Sequence, residues 1–435
     1  MKAAAGLVAA LCFATASWAQ QAAPPAAVDP GLGERWKTFV QGEIEHILAG
    51  DPYGSTFQLP KGYLKLAYKW SSLHGDSRYD GTGKLGPVIP PLLFQAGGQT
   101  QLNVDFGVAG HGGSHTFTVG YGILDTLGWF AEIPFNYMSV GTNLNVGTVD
   151  AQGDHIGATA ASLLGVTDRQ HYGPANFLYQ TLPQLGRPPL GSSFRGEWLL
   201  GDVNTGVAWN YFRNSHMSSA LTGRLFLPTA HIPPPERDIL YATGPEIEAG
   251  TGGWGVAATQ GYDWRLYRAQ WLQLIAGSEL SAGYHFTQHR PYPTNFIAPD
   301  PVAASLSPVT FPDLSKLSGD FTLTPGWALS WSARLDASIA LLGLSAAYSV
   351  KFSQKPQLTG DPGFLGMVNS LGLLDESEAH TVQIAAGVSL IPFSIPARIT
   401  VDWQRVVRGR NVLLYQDDFS LAIEGYIPTH FFLRH

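Results

Sequence analysis

The chain has 435 residues, of which 14% are charged and 45% are hydrophobic, and its formal net charge is −7. Soluble domains typically carry about 25% charged residues, so this composition does not favour an ordinary soluble protein. The mean hydropathy of +0.01 is too low for a bundle of membrane-spanning helices. The negative net charge argues against a role in binding nucleic acid.

The first 19 residues predict a secretory signal peptide. Lys2 is followed by an apolar run over residues 3–14, and the small residues Ser17 and Ala19 predict cleavage after Ala19. The apolar run is shorter than the roughly 20 residues that a membrane helix needs. Because the only cysteine, Cys12, lies inside the signal, we expect no disulfide, thiolate metal site or cysteine nucleophile in the mature chain.

Residues 20–61 are predicted to form a periplasmic lead-in that contains one amphipathic helix over residues 34–48. The apolar residues that recur there at helical spacing are Trp36, Phe39, Val40, Ile44, Ile47 and Leu48, and Gly50 follows as a stop signal. Such a helix could lie under the domain that follows it, plug that domain, or bind a partner.

From residue 62 onward the hydrophobic pattern has a period of two. In residues 62–70, Leu64 and Leu66 share one face with Tyr68 and Trp70, and comparable runs of about the 9–11 residues that cross a bilayer recur to the end of the chain. The opposite face of each run is small and polar. Residues 62–435 are therefore predicted to form an all-β, transmembrane, antiparallel up-and-down β-barrel, because in lipid an open sheet would leave backbone groups unpaired. A soluble β-sandwich is the alternative, but its solvated face would carry more charge.

The connections between the runs alternate between short and long. The short turns include residues 124–126, 214–216, 336–337 and 392–394, and the long ones span roughly 139–195, 229–252, 287–318 and 354–379. In outer-membrane barrels the short turns are periplasmic and the long loops extracellular, so we expect both termini in the periplasm.

Twelve strands are favoured over fourteen. Residues 102–108 are either one arm of an extracellular hairpin or a continuation of the next strand.

One hairpin sequence resembles a known family. Residues 119–127 read VGYGILDTL, and residues 131–135 read AEIPF. They are similar to the "YGLTDRL…IPF" hairpin of outer-membrane proteins grouped with the putative transporters of the phenol meta-cleavage pathway, themselves distantly similar to the long-chain fatty-acid transporters. Thr126 stands where that pattern has Arg. The resemblance implies an outer-membrane transporter and transfers no binding residue.

Charged residues on the polar faces are candidates for the lining of the lumen. They could form a polar path or gate, or a network of ion pairs that satisfies charges inside a narrow barrel. The near balance of signs argues against a strongly charge-selective porin. The candidates are Lys65, Lys69, Asp105, Glu132, Asp202, Arg224, Glu279, Lys351, Arg398, Asp402 and Glu424.

Two of the long loops are unusually apolar. Their large side chains could form a landing groove for apolar ligands or the contact surface of a partner protein, or the loops could fold over each other and close the barrel mouth. The candidates are Phe364, Leu365, Met367, Phe177 and Tyr179.

No sequence motif indicates a catalytic centre, a cofactor or a metal. His111 and His115 lie four residues apart in a Gly-rich stretch rather than on a helix, which does not favour a metal shared between them. We therefore predict a passive outer-membrane channel for small, hydrophobic or aromatic molecules, in contact with outer-membrane lipid. The alternatives are a scaffolding barrel that binds a partner protein through its loops or N-terminal helix, and a barrel enzyme whose site is assembled from distant strands.

Overall fold

The computed structural model describes residues 56, 59–88, 92–96, 100–105, 108–142, 145–149, 193–194, 197–234, 248–269, 272–292, 317–339, 341–370, 375–390, 393, 395–414 and 417–429. The predicted signal peptide and the predicted helix over residues 34–48 lie outside these ranges. Among the described residues, no helix has the length and apolar character needed to cross a membrane.

The described part of the chain is almost entirely β-strand, with one helix in an outer loop. In chain order the elements are β1 (Tyr63–Gly75), β2 (Ser77–Tyr79), β3 (Leu85–Pro87), β4 (Leu92–Ala96), β5 (Thr100–Asp105), β6 (Val108–Leu124), β7 (Leu127–Thr142), β8 (Asn145–Val149), β9 (Ser193–Phe194), β10 (Leu199–Leu200), β11 (Asn204–Arg213), β12 (Met217–Phe226), β13 (Gly255–Arg268), β14 (Leu272–His285), β15 (Gln288–Pro291), β16 (Asp320–Thr324), β17 (Gly326–Ile339), β18 (Leu342–Ser353), β19 (Gln357–Thr359), α1 (Pro362–Ser370), β20 (Ser377–Ser389), β21 (Ala397–Arg410), β22 (Val412–Leu414) and β23 (Asp417–Pro428).

Twelve antiparallel strands form a closed barrel, as the sequence predicted. Their order around the barrel is β1, β6, β7, β11, β12, β13, β14, β17, β18, β20, β21 and β23, and β23 pairs with β1 along its length to close the sheet. The short strands β9 and β10 continue the pairing edge of β7 beyond the point where β11 leaves it.

All short connections lie at one end of the barrel, which we call the short-turn end, and all long connections lie at the long-loop end. The β6–β7 and β11–β12 turns fall where they were predicted. The predicted turn at residues 336–337 is wrong, because Asp336 and Ala337 are paired inside β17 and the chain turns after Ile339.

Three small sheets lie in the long loops. One joins β4, β5 and β8, so residues 102–108 begin in an outer hairpin and not in a barrel strand. The other two join β2, β3 and β22, and β15, β16 and β19. The last of these packs against α1 around a small core of Tyr292, Phe321, Leu323, Phe364 and Val368.

The register separates the barrel residues into an outer and an inner face, because directly paired residues of neighbouring strands share a face. The outer face is apolar and accessible. Its most exposed members between the two rims are Val207, Leu221, Val256, Leu280, Leu329, Leu335, Leu344, Ile384, Val401 and Ile423.

Aromatic side chains mark both rims of this outer face. Toward the long-loop end they include Trp70, Trp254, Phe286 and Trp327, and toward the short-turn end they include Tyr121, Trp129, Trp209, Trp264 and Tyr267. A tall apolar band between two aromatic girdles is the surface that a barrel presents to a bilayer.

Candidate functional site

The inner face of the barrel is lined mainly by small and polar residues. On β17 and β18, for example, the inward positions are Ala328, Ser330, Ser332, Ser338, Gly343, Ser345, Ala347, Ser349 and Ser353. Eight strands leave an interior that side chains just fill, while 16 to 18 leave an aqueous channel. A barrel of twelve strands with small side chains inside therefore has an interior that its own side chains do not fill.

One ionic cluster lies inside the barrel where its first and last strands meet. Lys65 Nζ lies 2.7 Å from Glu424 Oε1, and the Tyr426 hydroxyl donates to Glu424 Oε2 over 2.9 Å. Arg398 is the register partner of Glu424 on β21. Three predicted lumen residues are thus brought to one place, where each charge has an opposite charge nearby.

A second cluster lies further toward the long-loop end on the same strands. Asp402 is buried and accepts hydrogen bonds from Ser420 and from Gln383, the latter over 3.3 Å. Lys69 Nζ lies 3.5 Å from Asp402 Oδ2, and its side chain is 47% exposed. Lys69 is nearly half exposed although it contacts a buried carboxylate, which indicates that this part of the wall faces free space.

A third cluster joins β7, β11 and β12. Arg224 Nη1 lies 3.1 Å from Glu132 Oε2, and the Asn204 amide donates to the same carboxylate oxygen over 2.9 Å. The Arg224 guanidinium also lies 4.9 Å from the centre of the Phe130 ring. Glu132 and Arg224 were both predicted to face the lumen, and here they form a structural pair.

The two most buried carboxylates of the described residues, Asp263 on β13 and Asp336 on β17, share one ionic cluster with Arg334 and the more exposed Glu279, and of these four residues only Glu279 was predicted from the sequence. Arg334 contacts Asp263, and its Nε lies 2.9 Å from Asp336 Oδ2 and its Nη1 4.0 Å from Glu279 Oε1. Both Asp263 and Asp336 are 2% exposed, and Ile275 on the same inner face is 1% exposed. Inward residues this buried show that the lumen beside them is filled.

Thr56 lies in that filled part of the lumen. Its backbone amide donates to Asp263 Oδ2 over 2.9 Å, and its hydroxyl donates to the same oxygen over 2.6 Å. The Asn210 amide donates to the Thr56 carbonyl over 2.9 Å. Asp263 and Asn210 are inward residues of β13 and β11, so Thr56 lies inside the barrel rather than beneath it.

Residues 59–61, just before β1, contact another part of the wall, at the end of β6. Leu59 is buried, and the Lys61 amide donates to Asp125 Oδ1 in the β6–β7 turn over 3.0 Å. A Cβ atom added at Gly122 would lie 1.9 Å from the Pro60 carbonyl oxygen, so only glycine allows the segment to cross β6 here. Thr56 therefore occupies the lumen beside β11 and β13, and residues 59–61 lie against the end of β6 near the short-turn end.

The remaining predicted lumen residues occupy different surroundings. Lys351 lies on the inner face of β18, opposite Ser330. Asp202 precedes β11 and holds the β12–β13 loop, accepting from the Thr251 amide over 2.6 Å and from the Gly252 amide over 3.1 Å. Asp105 ends β5 in an outer sheet, so it does not lie on a strand of the barrel wall, contrary to the prediction.

The predicted apolar loop residues that can be described lie in a core and not on a landing surface. Phe364 is 0% exposed, and Leu365 packs against the same cluster. Asp361 begins α1 by accepting from the amides of Gly363 and Phe364 over 2.8 and 3.1 Å, as an N-cap does. Met367 lies on α1, and Phe177 and Tyr179 lie outside the described residues.

The turn between β2 and β3, in the first long loop, is held by the carboxylate of Asp80. Its Oδ1 accepts from the Thr82 hydroxyl, the Thr82 amide and the Lys84 amide at 2.7, 2.8 and 2.9 Å. The hydrogen bond from the Thr82 hydroxyl, followed by that from the Lys84 amide, lowers the pKa of Asp80 from its usual 3.8. A lowered pKa in the folded state means that the turn is stabilised above pH 3.8 and loses this support as the pH falls through the lowered value.

We therefore expect acid to loosen this turn locally. Hydrogen exchange of the Thr82 and Lys84 amides should accelerate below pH 3.8 after correction for intrinsic exchange, and Asp80→Asn should remove most of that dependence. Equal protection in the wild type and in the variant across this range would contradict the assignment.

No group of three or more His, Cys, Asp or Glu residues poised for a metal occurs in the described part of the chain. No protein-family model matches the chain, and no curated protein is similar to it in sequence.

Several solved structures resemble the fold distantly. An outer membrane channel from Pseudomonas putida F1 is 10% identical, with a TM-score of 0.49 over 86% of this chain and 99% of that chain. The NanC porin is 8% identical, with a TM-score of 0.33 over 82% of this chain and 97% of that chain. The CymD monoaromatic hydrocarbon channel is 10% identical, with a TM-score of 0.29 over 85% of this chain and 89% of that chain. Likenesses this distant carry no argument about function or substrate.

Proposed function

We propose that this protein is a bacterial outer-membrane channel that passes small molecules passively through its lumen. The observation that carries the proposal is the inversion of polarity across the wall, with an apolar band between aromatic girdles outside and small, polar residues inside. A soluble barrel would bury its apolar face, whereas a membrane channel needs apolar residues toward lipid and a wettable lumen. The short-turn end is then periplasmic, and the long loops are extracellular.

The lumen favours small polar or amphiphilic solutes over purely apolar ones. The inner wall offers hydroxyl groups and paired charges of both signs. Such a wall favours a water-filled lumen and does not select strongly between cations and anions. Hydrophobic or aromatic cargo was expected from the apolar loops, but the described part of that surface, Phe364 and its neighbours, is buried in a loop core. An aromatic solute that carries polar groups still fits this lumen.

The N-terminal segment is the narrowing element of the proposed channel. Thr56 is held inside the lumen by Asp263 on β13, and Leu59 and Pro60 lie against β6. The segment lies where the wall is most buried, while the strands around Lys69 stay open. We infer that the free path runs along β1, β21 and β23 and that removing the segment widens it.

The test is the conductance of the purified, refolded protein in planar bilayers, with and without residues 20–58. We expect small steady conductance steps from the mature protein and severalfold larger steps from the deletion variant, with weak ion selectivity in both. A heat-modifiable band on a gel verifies that each protein is a folded barrel. Silence from both folded proteins would overturn the channel and favour a scaffold that binds a partner through its loops.

A further inference from the structure

Two histidines from different strands meet on the outer face of the barrel at the long-loop rim. His74 on β1 and His111 on β6 are direct register partners, and their Nδ1 atoms lie 2.9 Å apart. The ring centres are 4.2 Å apart. Because the two residues are separated by 37 positions, no sequence motif joins them, and the pairing emerges only from the register.

We propose that His74 and His111 form a binding site for a divalent copper ion. Neutral imidazole nitrogens are preferred ligands of copper, nickel and zinc, and copper binds most tightly in the series of divalent ions. With metal–nitrogen bonds of about 2.05 Å, two nitrogens at 90° lie about 2.9 Å apart, whereas a tetrahedral angle places them about 3.3 Å apart. The observed separation is that of a hydrogen bond between the two rings in the absence of metal, and it equals the spacing of two adjacent positions of a square-planar or tetragonal ion.

The surroundings of the pair suit a hydrated cation. His74 lies one residue before the end of β1 and four residues beyond Trp70, which belongs to the aromatic girdle, so the pair lies at the level of the polar headgroups and water. His111 is exposed. The next residue along the same row, on β23, is Asp417, the register partner of His74. Water completes the coordination of a two-nitrogen site.

His115 does not share this site, although it lies on β6 four residues after His111. Its ring stacks on Tyr68 at 5.7 Å and contacts Trp198 at a tilt of 46° and 4.2 Å, measured between ring centres. Its Nδ1 lies 2.6 Å from the Tyr68 hydroxyl and is therefore engaged within the girdle. The copper site comprises one histidine from each of β1 and β6, so the bound ion would link the two strands at the rim.

The test is copper binding to the mature protein, purified with an affinity tag that contains no histidine. Titration calorimetry and electron paramagnetic resonance should show one high-affinity Cu²⁺ per chain, with hyperfine structure from two nitrogens. We expect His74→Ala and His111→Ala each to weaken this binding by roughly tenfold or more, since each leaves a single nitrogen without a chelating partner. The double variant should lose much less affinity than the sum of the two single losses in free energy, because either single variant already removes the chelate.

His216→Ala is the matched control, because His216 lies in the β11–β12 turn at the opposite end of the barrel. Its copper affinity should equal that of the wild type. A heat-modifiable band verifies folding, and His111→Gln replaces His111→Ala if the latter does not fold. Unchanged affinity in the His74 and His111 variants, or losses that add as from two separate sites, would overturn the proposal.

Discussion

Gly122→Ala is expected to raise the single-channel conductance severalfold. The new Cβ atom would lie 1.9 Å from the Pro60 carbonyl oxygen and 2.6 Å from that of Leu59, and both are backbone atoms that cannot rotate away. β6 is fixed by pairing along both edges, whereas the segment before β1 is held by a few hydrogen bonds. Residues 59–60 must therefore move away from β6. This displacement costs about 1–3 kcal/mol in the free energy of unfolding, which is typical of overpacking.

Gly223→Ala is the control for this substitution. Gly223 is also a barrel glycine, but an added Cβ atom would meet nothing within 4 Å. Its conductance and its resistance to proteolysis of the N-terminal segment should match those of the wild type. If Gly122→Ala conducts like Gly223→Ala while both proteins are folded, the segment does not narrow the path.

Ile384→Arg is expected to impair folding into a bilayer strongly, whereas Ala385→Arg is expected to be tolerated. Ile384 is 54% exposed on the outer face near the middle of β20, where an arginine would enter the hydrocarbon. Such a substitution costs about 2–4 kcal/mol at the midplane of a membrane barrel. Ala385 faces the lumen opposite Asp402, so an arginine there meets polar surroundings and an acidic group.

The measurement is urea-dependent folding into lipid vesicles, read from the heat-modifiable shift on a gel. The two substitutions introduce the same side chain at adjacent positions, so they differ only in whether that side chain faces lipid or the lumen. Equal destabilisation by both would contradict the assignment of the outer face to lipid. Equal tolerance of both would contradict it too.

The barrel and its orientation of faces could be predicted from sequence because each strand contributes its own period of two. The inward positions of Lys65, Glu132 and Glu424 follow from that period alone. The period of two does not indicate β13, because its outward face carries Ala258 and Gln260, which reduce the contrast between an apolar and a polar face. Asp263, which holds the N-terminal segment, was missed for the same reason.

The contacts of the N-terminal segment could not be predicted from any local pattern. Thr56 meets a residue 207 positions away, and a contact of this kind depends on the closed sheet that brings β13 across the lumen from β1. The same holds for Phe364, whose apolar neighbours indicated an exposed patch until β15 and β16 supplied a core for it. Periodicity predicts the faces of an element, but not what will lie against them.

The seam between β23 and β1 has a consequence for how the protein folds. The twelve register pairs of this seam join the two ends of the sheet, and its salt bridge, Lys65–Glu424, spans 359 positions. Contacts so distant in sequence form slowly, because a long loop must close before any of them is made. Until the seam forms, β1 and β23 expose bare edges capable of pairing with other chains. We therefore expect closure of this seam to limit the rate of folding, and chains arrested before it to be the species that aggregate.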